Sequence, residues 1–342
     1  MSNLSIKRIV FGVSFFVLAG LVLTAFLFWR GFFIPLSANG EEVLFEIKEG
    51  WGVKTIAIEL EDEKLIKNAL YFDYYVWGKK WGGELQAGVY RLSPAMNIAQ
   101  IAEKFRAGEV FEDIVTVTIP PGQRISKVNK IFQEAGFAQK PDLLKFKVKD
   151  FSKEFSFLKG APQEGSLEGF LYPETLNFRK EASSEEIVEK ILGVFEKNID
   201  AELRRQVEEK GMNLYKILTL ASIVEQEVPA SKAEDRKMVA GIFWNRLEIG
   251  QPLESCVTIE YLLGVHKNRY SFEDTRTVSP YNTYVNAGLP PTPIASPRKD
   301  AVEATVDFQE SDFLFFLSRP DTGETVFSKT FKEHEMNVEK HL

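Results

Sequence analysis

The chain has few of the residues that build disulfides or metal sites. Its 342 residues include one cysteine, Cys256, and three histidines, His266, His334 and His341. A single cysteine cannot form an intrachain disulfide, and the histidines do not have the spacing of a metal site. We therefore predict no structural disulfide, no bound metal and no cofactor.

The chain also lacks an excess of positively charged residues. The sequence has 42 lysine and arginine residues against 49 aspartate and glutamate residues, a net charge of −7. Proteins that bind nucleic acids usually present a basic face, so nucleic acid is not an expected partner. With 44% hydrophobic and 27% charged residues, the chain can form two or more compact units.

A run without charge stands near the N-terminus. Residues 9–29 contain no charged side chain, and about 20 such residues cross a hydrocarbon core of ~30 Å. Lys7 and Arg8 precede the run, which favours a cytoplasmic tail at residues 1–8 and an extracytoplasmic remainder. The interpretation is an uncleaved transmembrane helix followed by a linker at 30–41. A cleaved signal peptide is the alternative, although its apolar region is shorter, roughly 7–15 residues.

Residues 42–115 predict a small module. An alternating strand at 43–48 ends at Gly50, two helical patterns follow, and a second strand occupies 87–92. A strand, two helices and a second strand within so short a segment are the layout of a small glycan-binding module.

The sequence contains a weak internal repeat, which we call the internal echo. Segments 45–60 and 117–132 align with one offset, which matches Gly50 with Gly122 and Leu60 with Phe132. Each predicts a strand, a turn and a helix, so a second strand-helix module is expected within 116–180. This is either a duplicated glycan-contacting element or two instances of a common supersecondary unit.

Three helices are predicted in the C-terminal half. A long amphipathic helix is expected at roughly 184–210, and a second covers the apolar run from Leu214. The third is expected to begin at a capping box of Ser231 and Glu234 and to end at Gly250.

One carboxylate lies inside the apolar arc of the second of these helices. Glu225 falls between Leu218 and Ala221 on the helical wheel. Glu227 has apolar neighbours too, so periodicity alone does not choose between the two acids.

The residues alone predict that Glu225 is an ordinary ion-pair carboxylate. Its expected partner is Arg236 or Arg246, because long basic side chains follow on the third helix.

Several runs resemble one known family. They are LASIVEQEV at 220–228, FWNRLEIGQPL at 243–253, SPYNTYVNAGLPPTPIASP at 279–297 and EGFLYPET at 168–175. In order and spacing they are similar to the YceG-like endolytic murein transglycosylases.

The resemblance implies an α+β protein with a transmembrane helix, a LysM-like module at 42–115 and a mixed α+β catalytic domain at 181–342. It names Glu225 as the catalytic acid. It also suggests substrate contacts from Glu168, Glu227, Asn245, Tyr281, Asn282, Thr283 and Tyr284. Tyrosines and amides suit a sugar, which has apolar faces and polar edges.

The implied reaction is lytic cleavage of the MurNAc–GlcNAc β-1,4 bond within peptidoglycan strands. Hydrolysis usually needs two carboxyl groups, whereas here the muramyl C6 hydroxyl attacks C1 and leaves a 1,6-anhydro end. Glu225 must then hold a proton near neutral pH, and burial among apolar neighbours is expected to favour that form. The implied role is to limit nascent glycan length at the bacterial cytoplasmic membrane, with peptidoglycan synthases (penicillin-binding proteins) as candidate partners.

The sequence departs from the family pattern at two places, and two other functions are weighed. Cys256 and Val257 replace the family's Asp-Pro pair, and Thr325 stands where the family has a histidine. A non-catalytic, membrane-anchored glycan-binding or scaffold protein is the alternative function. A hydrolase using Ser222 and His334 would lack a nucleophile elbow.

Overall fold

The computed structural model describes residues 20, 22, 26, 29–111, 113–267, 269–319 and 321–341. It is a mixture of α-helices and short β-strands, as the predicted α+β class requires. The chain divides into two compact units. The first contains residues up to Ile114 together with Asn177–Arg179, and the second contains Val115–Leu176 and Lys180–Leu342.

The predicted transmembrane helix at 9–29 lies outside the described residues, apart from positions 20, 22, 26 and 29. Among the residues that are described, no helix has both the length and the apolar character needed to span a membrane.

The first unit contains the predicted strand, two helices and strand. Strand β1 (Val43–Ile47) pairs antiparallel with β2 (Gly88–Leu92). Helices α1 (Val53–Asp62) and α2 (Ala69–Lys79) lie between them in sequence, and α3 (Ile98–Ala107) follows. The alternation in β1 buries Phe45 and Ile47 in one core with the apolar faces of the three helices.

Strand β3 (Ile114–Thr118), apart from its first residue, and helix α4 (Ile125–Glu134) begin the second unit, and a short helix α5 (Val148–Phe151) follows. Strand β4 (Thr175–Arg179) is divided, because Asn177–Arg179 belong to the first unit. The hydroxyls of Thr118 and Thr175 are 2.9 Å apart. The remaining helices are α6 (Ser184–Asn198), α7 (Ala201–Glu209), α8 (Leu214–Glu227), α9 (Ala233–Glu248), α10 (Cys256–Leu263), α11 (Lys299–Val306) and α12 (Phe331–His341).

The internal echo is visible in the backbone. Helices α1 and α4 begin at 53 and 125 and end at 62 and 134, a shift of 72 residues at both ends. A glycine with positive φ precedes each helix, Gly50 at +85° and Gly122 at +67°. The buried positions also correspond, since Leu60 and Phe132 both lie in a core. Each unit therefore contains one copy of the same strand-turn-helix arrangement.

Two helix predictions were wrong in detail. The expected helix at 184–210 is interrupted after Asn198, because the Asp200 carboxylate accepts from Leu203 N at 2.9 Å and starts a new helix. The capping box of Ser231 and Glu234 is absent. Helix α9 instead follows Lys232 without a side-chain cap.

The C-terminal segment forms a hairpin that is followed by a helix. Strand β5 (Phe315–Ser318) pairs antiparallel with β6 (Thr325–Ser328). His334 lies on α12 with its ring 5.4 Å from that of Phe315, which indicates a packing role. Pro320 lies outside the described residues.

Candidate active site

Glu225 lies in the last turn of α8, a helix that is buried along most of its length. Its side chain is 5% exposed. The wheel therefore predicted its burial correctly. Pro229 follows soon after the helix ends at Glu227, so Glu225 lies close to the point where the chain turns toward α9.

The surroundings of Glu225 are charged, which corrects the expected apolar neighbourhood. Its Oε1 lies 3.3 Å from Arg236 Nη2 and 3.4 Å from Arg298 Nε. Its Oε2 accepts from the backbone N–H of Arg298 at 3.1 Å. The ion pair with Arg236 that the residues alone predicted is confirmed. The apolar wheel failed to predict this environment because Arg298 comes from a distant segment.

Arg236 connects Glu225 to a second carboxylate. Its side chain is 1% exposed, and its Nε donates to Val228 O at 2.9 Å. Its Nη1 lies 3.1 Å from Asp300 Oδ2, and Asp300 Oδ1 lies 3.6 Å from Arg298 Nε. Two carboxyl groups and two guanidinium groups therefore form one cluster, which we call the Glu225 cluster.

The turn of the second repeat lies beside this cluster. Gly122 N donates to Ser296 O at 3.2 Å, and Ser296 N donates to Gln123 O at 3.1 Å. Gln226 Nε2 donates to Gly122 O at 2.8 Å. A Cβ atom on Gly122 would lie 2.1 Å from Gln226 Nε2 and 3.7 Å from Glu225 Cγ. The turn therefore approaches the end of α8 closely enough to require glycine.

Glu168 is a second buried carboxyl in this unit, 4% exposed. Its Oε1 accepts from Ile125 N at 2.8 Å, at the start of α4, and its Oε2 lies 3.5 Å from Tyr261 OH. Burial raises the pKa of the Glu168 carboxyl to about 7. Tyr281, another predicted contact, packs its ring 5.0 Å from that of Tyr261 and lies 3.0 Å from the Thr292 hydroxyl.

Glu227 belongs to a different set of contacts. It accepts from Ser255 Oγ at 2.5 Å, and burial raises the pKa of its carboxyl. Nearby, Cys256 Sγ and Tyr284 OH are 2.9 Å apart, and burial raises the pKa of that tyrosine. The structure thus gives Glu227 a hydroxyl partner, whereas Glu225 has two guanidinium partners.

Three predicted substrate contacts use their polar atoms inside the protein. Asn245 donates to two backbone carbonyls of the segment before β5, and buried Asn282 bonds three backbone groups of its own loop. Thr283 bonds the start of α10. The bonds are Asn245 Nδ2 to Ser311 O and Phe313 O, Asn282 Nδ2 to Thr275 O and Thr277 O, Tyr284 N to Asn282 Oδ1, and Ser255 N to Thr283 Oγ1. These contacts support a scaffolding role for all three.

The sequence reasoning missed Arg298, Asp300 and the turn at Gly122. The charged run Arg298–Asp300, directly after the proline-rich segment and at the start of α11, was the available signal for the first two. The echo already singled out Gly122, although not its position. Within the described residues, no group of three or more His, Cys, Asp or Glu side chains could hold a metal ion.

The candidate site lies in the part of the chain that resembles known proteins. The model of the YceG-like family matches residues 45–340. A Bacillus subtilis protein named endolytic murein transglycosylase is 31% identical over 332 residues, covering 93% of this chain and 90% of that protein.

A Streptococcus pneumoniae protein of the same name is 30% identical over 365 residues, covering 96% of this chain. The chain spans 66% of that relative's length. A crystal structure of a yceG-like protein from Listeria monocytogenes matches with a TM-score of 0.58 and 35% identity, covering 87% of this chain and all of that one.

Proposed function

The chain belongs to the YceG-like family, and on that premise we propose that it is an endolytic peptidoglycan lytic transglycosylase with Glu225 as its acid. The resemblance expected from the sequence motifs is thereby confirmed at the level of the family. The observation that carries the catalytic assignment is the buried Glu225 carboxyl, held by Arg236, Arg298 and the Arg298 backbone N–H.

The proposed reaction breaks one bond and forms another without consuming water. Glu225 donates its proton to the glycosidic oxygen between MurNAc and GlcNAc as the C1–O bond breaks. The muramyl C6 hydroxyl then attacks C1, and the Glu225 carboxylate accepts its proton, which leaves a 1,6-anhydroMurNAc end. Arg236 and Arg298 would stabilise the carboxylate between these two proton transfers.

The proposal also includes the location of the chain in the cell and its role there. The charge-free run at 9–29 would anchor the chain in the bacterial cytoplasmic membrane as a single-pass protein, with the described units outside the cytoplasm. The unit formed by β1, β2 and α1–α3 would be the LysM-like module that holds the glycan. The proposed role is to limit the length of nascent strands, with peptidoglycan synthases as partners.

The test is a digest of purified peptidoglycan by the detergent-solubilised full-length chain. The proposal expects internal cleavage products that carry anhydro ends, which mass spectrometry distinguishes from hydrolytic products by the missing water. Binding of strands without any cleavage would favour the non-catalytic scaffold instead. Hydrolysed, non-anhydro ends would contradict the lytic mechanism.

A further inference from the structure

The first unit carries a row of exposed apolar side chains on helix α2. Leu70, Tyr74 and Trp77 follow one another at helical spacing and are 62%, 51% and 76% exposed. Ile58 of α1 is also exposed, and a groove of about 610 Å³ lies between it and the row. We call these four residues the α2 surface. Adjacent exposed apolar residues of this kind usually mark an interaction surface.

Helix α2 also contacts the segment that follows the charge-free run. Residues 29–33 are helical, and the ring of Phe32 lies 6.2 Å from that of Tyr71 and 5.6 Å from that of Tyr75. A Cβ atom on Gly31 would lie 2.9 Å from the Tyr71 ring, so the backbone of this segment approaches α2 closely. The end of the proposed anchor is therefore packed against α2.

The dimensions of a bilayer set the distance between α2 and the lipid. The polar layer adds about 5–8 Å on each side of a hydrocarbon core of ~30 Å. Phe32 stands three residues after the run at 9–29, which is about 4.5 Å along a helix. With the run across the core, Phe32 and the two tyrosines that contact it lie at the depth of the headgroups. Leu70 and Tyr74 each directly precede one of these tyrosines, so the α2 surface adjoins them.

A second groove lies between residues 30–36 and the start of α2, and its charged side chains are both basic. Its lining includes the exposed apolar Ile34 and Leu36 and the exposed charged Arg30 and Lys67. Neither Arg30 nor Lys67 has a carboxylate partner among the described residues. Basic side chains beside exposed apolar and aromatic ones are typical of surfaces that lie on anionic lipids.

We propose that the α2 surface docks on the outer face of the membrane, with Tyr74 and Trp77 in the headgroup layer and with Arg30 and Lys67 on lipid phosphates. This inference rests on the proposed anchor and does not depend on the catalytic assignment. It goes beyond anchoring, because it holds the first unit against the bilayer instead of leaving it on a linker. The position beside the anchor favours lipid over a glycan as the occupant, and the other faces of the unit remain available to glycan.

The experiment measures which tryptophans touch lipid. The full-length chain is reconstituted into vesicles of phosphatidylcholine and phosphatidylglycerol, with or without bromine atoms on the acyl chains near the headgroups. Bromine quenches the emission of a tryptophan that lies against it. The emission of Trp77 alone is the difference between wild type and Trp77→Phe, and the same subtraction is made for Trp29 and Trp244.

We expect brominated vesicles to quench Trp77 as strongly as Trp29, the last residue of the charge-free run. Trp244 is the reference, because it packs partly buried against the core of the second unit and its Nε1 donates to Thr305 O at 3.0 Å. The emission of Trp244 should be the same in both kinds of vesicle.

A charged substitution on the α2 surface tests the docking itself. Leu70→Asp places a carboxylate on this surface, so it should abolish the lipid quenching of Trp77 and leave that of Trp29 unchanged. The matched control is Ile249→Asp, because Ile249 of the second unit is 61% exposed, nearly as much as Leu70. The control should keep the wild-type quenching of Trp77. Circular dichroism checks that both variants are folded, as expected for exposed positions.

The two basic residues are tested through the lipid composition. In wild type, vesicles with phosphatidylglycerol should quench Trp77 more than vesicles of phosphatidylcholine alone, because the anionic lipid attracts basic side chains. A chain with both Arg30→Gln and Lys67→Gln should lose this difference. An undiminished difference would contradict the assigned phosphate contacts.

The outcomes separate the docking from the proposals on which it rests. Quenching of Trp29 without quenching of Trp77 would overturn the docking and leave the anchor in place. If neither is quenched, the anchor is wrong and the docking with it. Quenching of Trp77 that persists in Leu70→Asp would also contradict the α2 surface. A change in Trp77 emission on addition of peptide-free glycan strands, without quenching by brominated lipid, would identify glycan as the occupant instead.

Discussion

Glu225 and Arg236 form a buried ion pair, with 3.3 Å between Oε1 and Nη2 and with side chains that are 5% and 1% exposed. A buried guanidinium is costly unless an anion and hydrogen-bond acceptors surround it. Arg236 has Val228 O, Glu225 and Asp300 for this purpose. In its ionised form the Glu225 carboxyl therefore also balances a charge in the interior, whereas the form that starts the proposed reaction carries a proton.

The first prediction is a loss of stability in Glu225→Gln. Removing the anion leaves Arg236 with less compensation, so the free energy of unfolding should fall by about 3 kcal/mol. Urea unfolding of the full-length chain measures this value. Replacing Glu225 by Gln and Arg236 by Met together should restore part of the loss, since the buried Arg236 cation is then also removed. Equal stability of wild type and Glu225→Gln would show that the pair carries little energy.

The second prediction concerns the buried carboxyl of Glu168. Its pKa is about 7 in the folded chain and near its ordinary 4.5 when unfolded. The folded state therefore keeps a proton that the unfolded state loses, and stability falls as pH rises through this window. The contribution is about 3 kcal/mol between pH 4.5 and 7.

Unfolding measurements at pH 5 and pH 8 test this carboxyl directly. Glu168→Gln cannot titrate, so it should lose less stability between the two pH values than wild type does. An unchanged pH dependence in the variant would contradict the assigned role of Glu168.

The third prediction concerns the turn beside the cluster. In Gly122→Ala the new Cβ would lie 2.1 Å from Gln226 Nε2, and the left-handed backbone adds strain of about 1 kcal/mol. We expect stability and glycan cleavage both to fall, because Gln226 adjoins Glu225. The control is Gly136→Ala, which has φ +96° and nothing within 4 Å of the new Cβ. Gly136→Ala should lose stability but keep glycan cleavage. If both variants lose cleavage, the effect is due to backbone strain and not to the contact with Gln226.

The fourth prediction concerns the charge-free run at 9–29. The full-length chain should sediment with membranes, resist an alkaline carbonate wash and require detergent for release. Recovery in the soluble fraction, or an N-terminus near Asn39, would support the signal-peptide alternative.

The parts of the fold that could be predicted from the sequence are those with a regular pattern of apolar residues. Strand β1 and helix α1 each bury one regular face, and the family resemblance indicated the region of the acid. The break at Asp200 was missed because the apolar face continues on both sides of it. The hydrogen bond that Leu203 N donates to the Asp200 carboxylate, which periodicity does not report, starts the second helix.

The charged environment of Glu225 could not be predicted in the same way. Arg236 is 11 residues away and Arg298 is 73 residues away, so no helical wheel includes them together. Asn282 shows the opposite error. Its amide looked available for a sugar, but it is buried and bonded to its own loop. Which polar groups remain available is decided by tertiary contacts.

The most direct test of the central claim is the rate of anhydro-end formation by Glu225→Gln and Glu227→Gln, compared with wild type under conditions where circular dichroism shows all three folded. Gln keeps the shape of the acid and removes its transferable proton. The account predicts that Glu225→Gln loses ~10²-fold or more in rate, while Glu227→Gln remains substantially active. If Glu225→Gln cuts glycan near the wild-type rate and Glu227→Gln is inactive, the assignment of the acid is wrong.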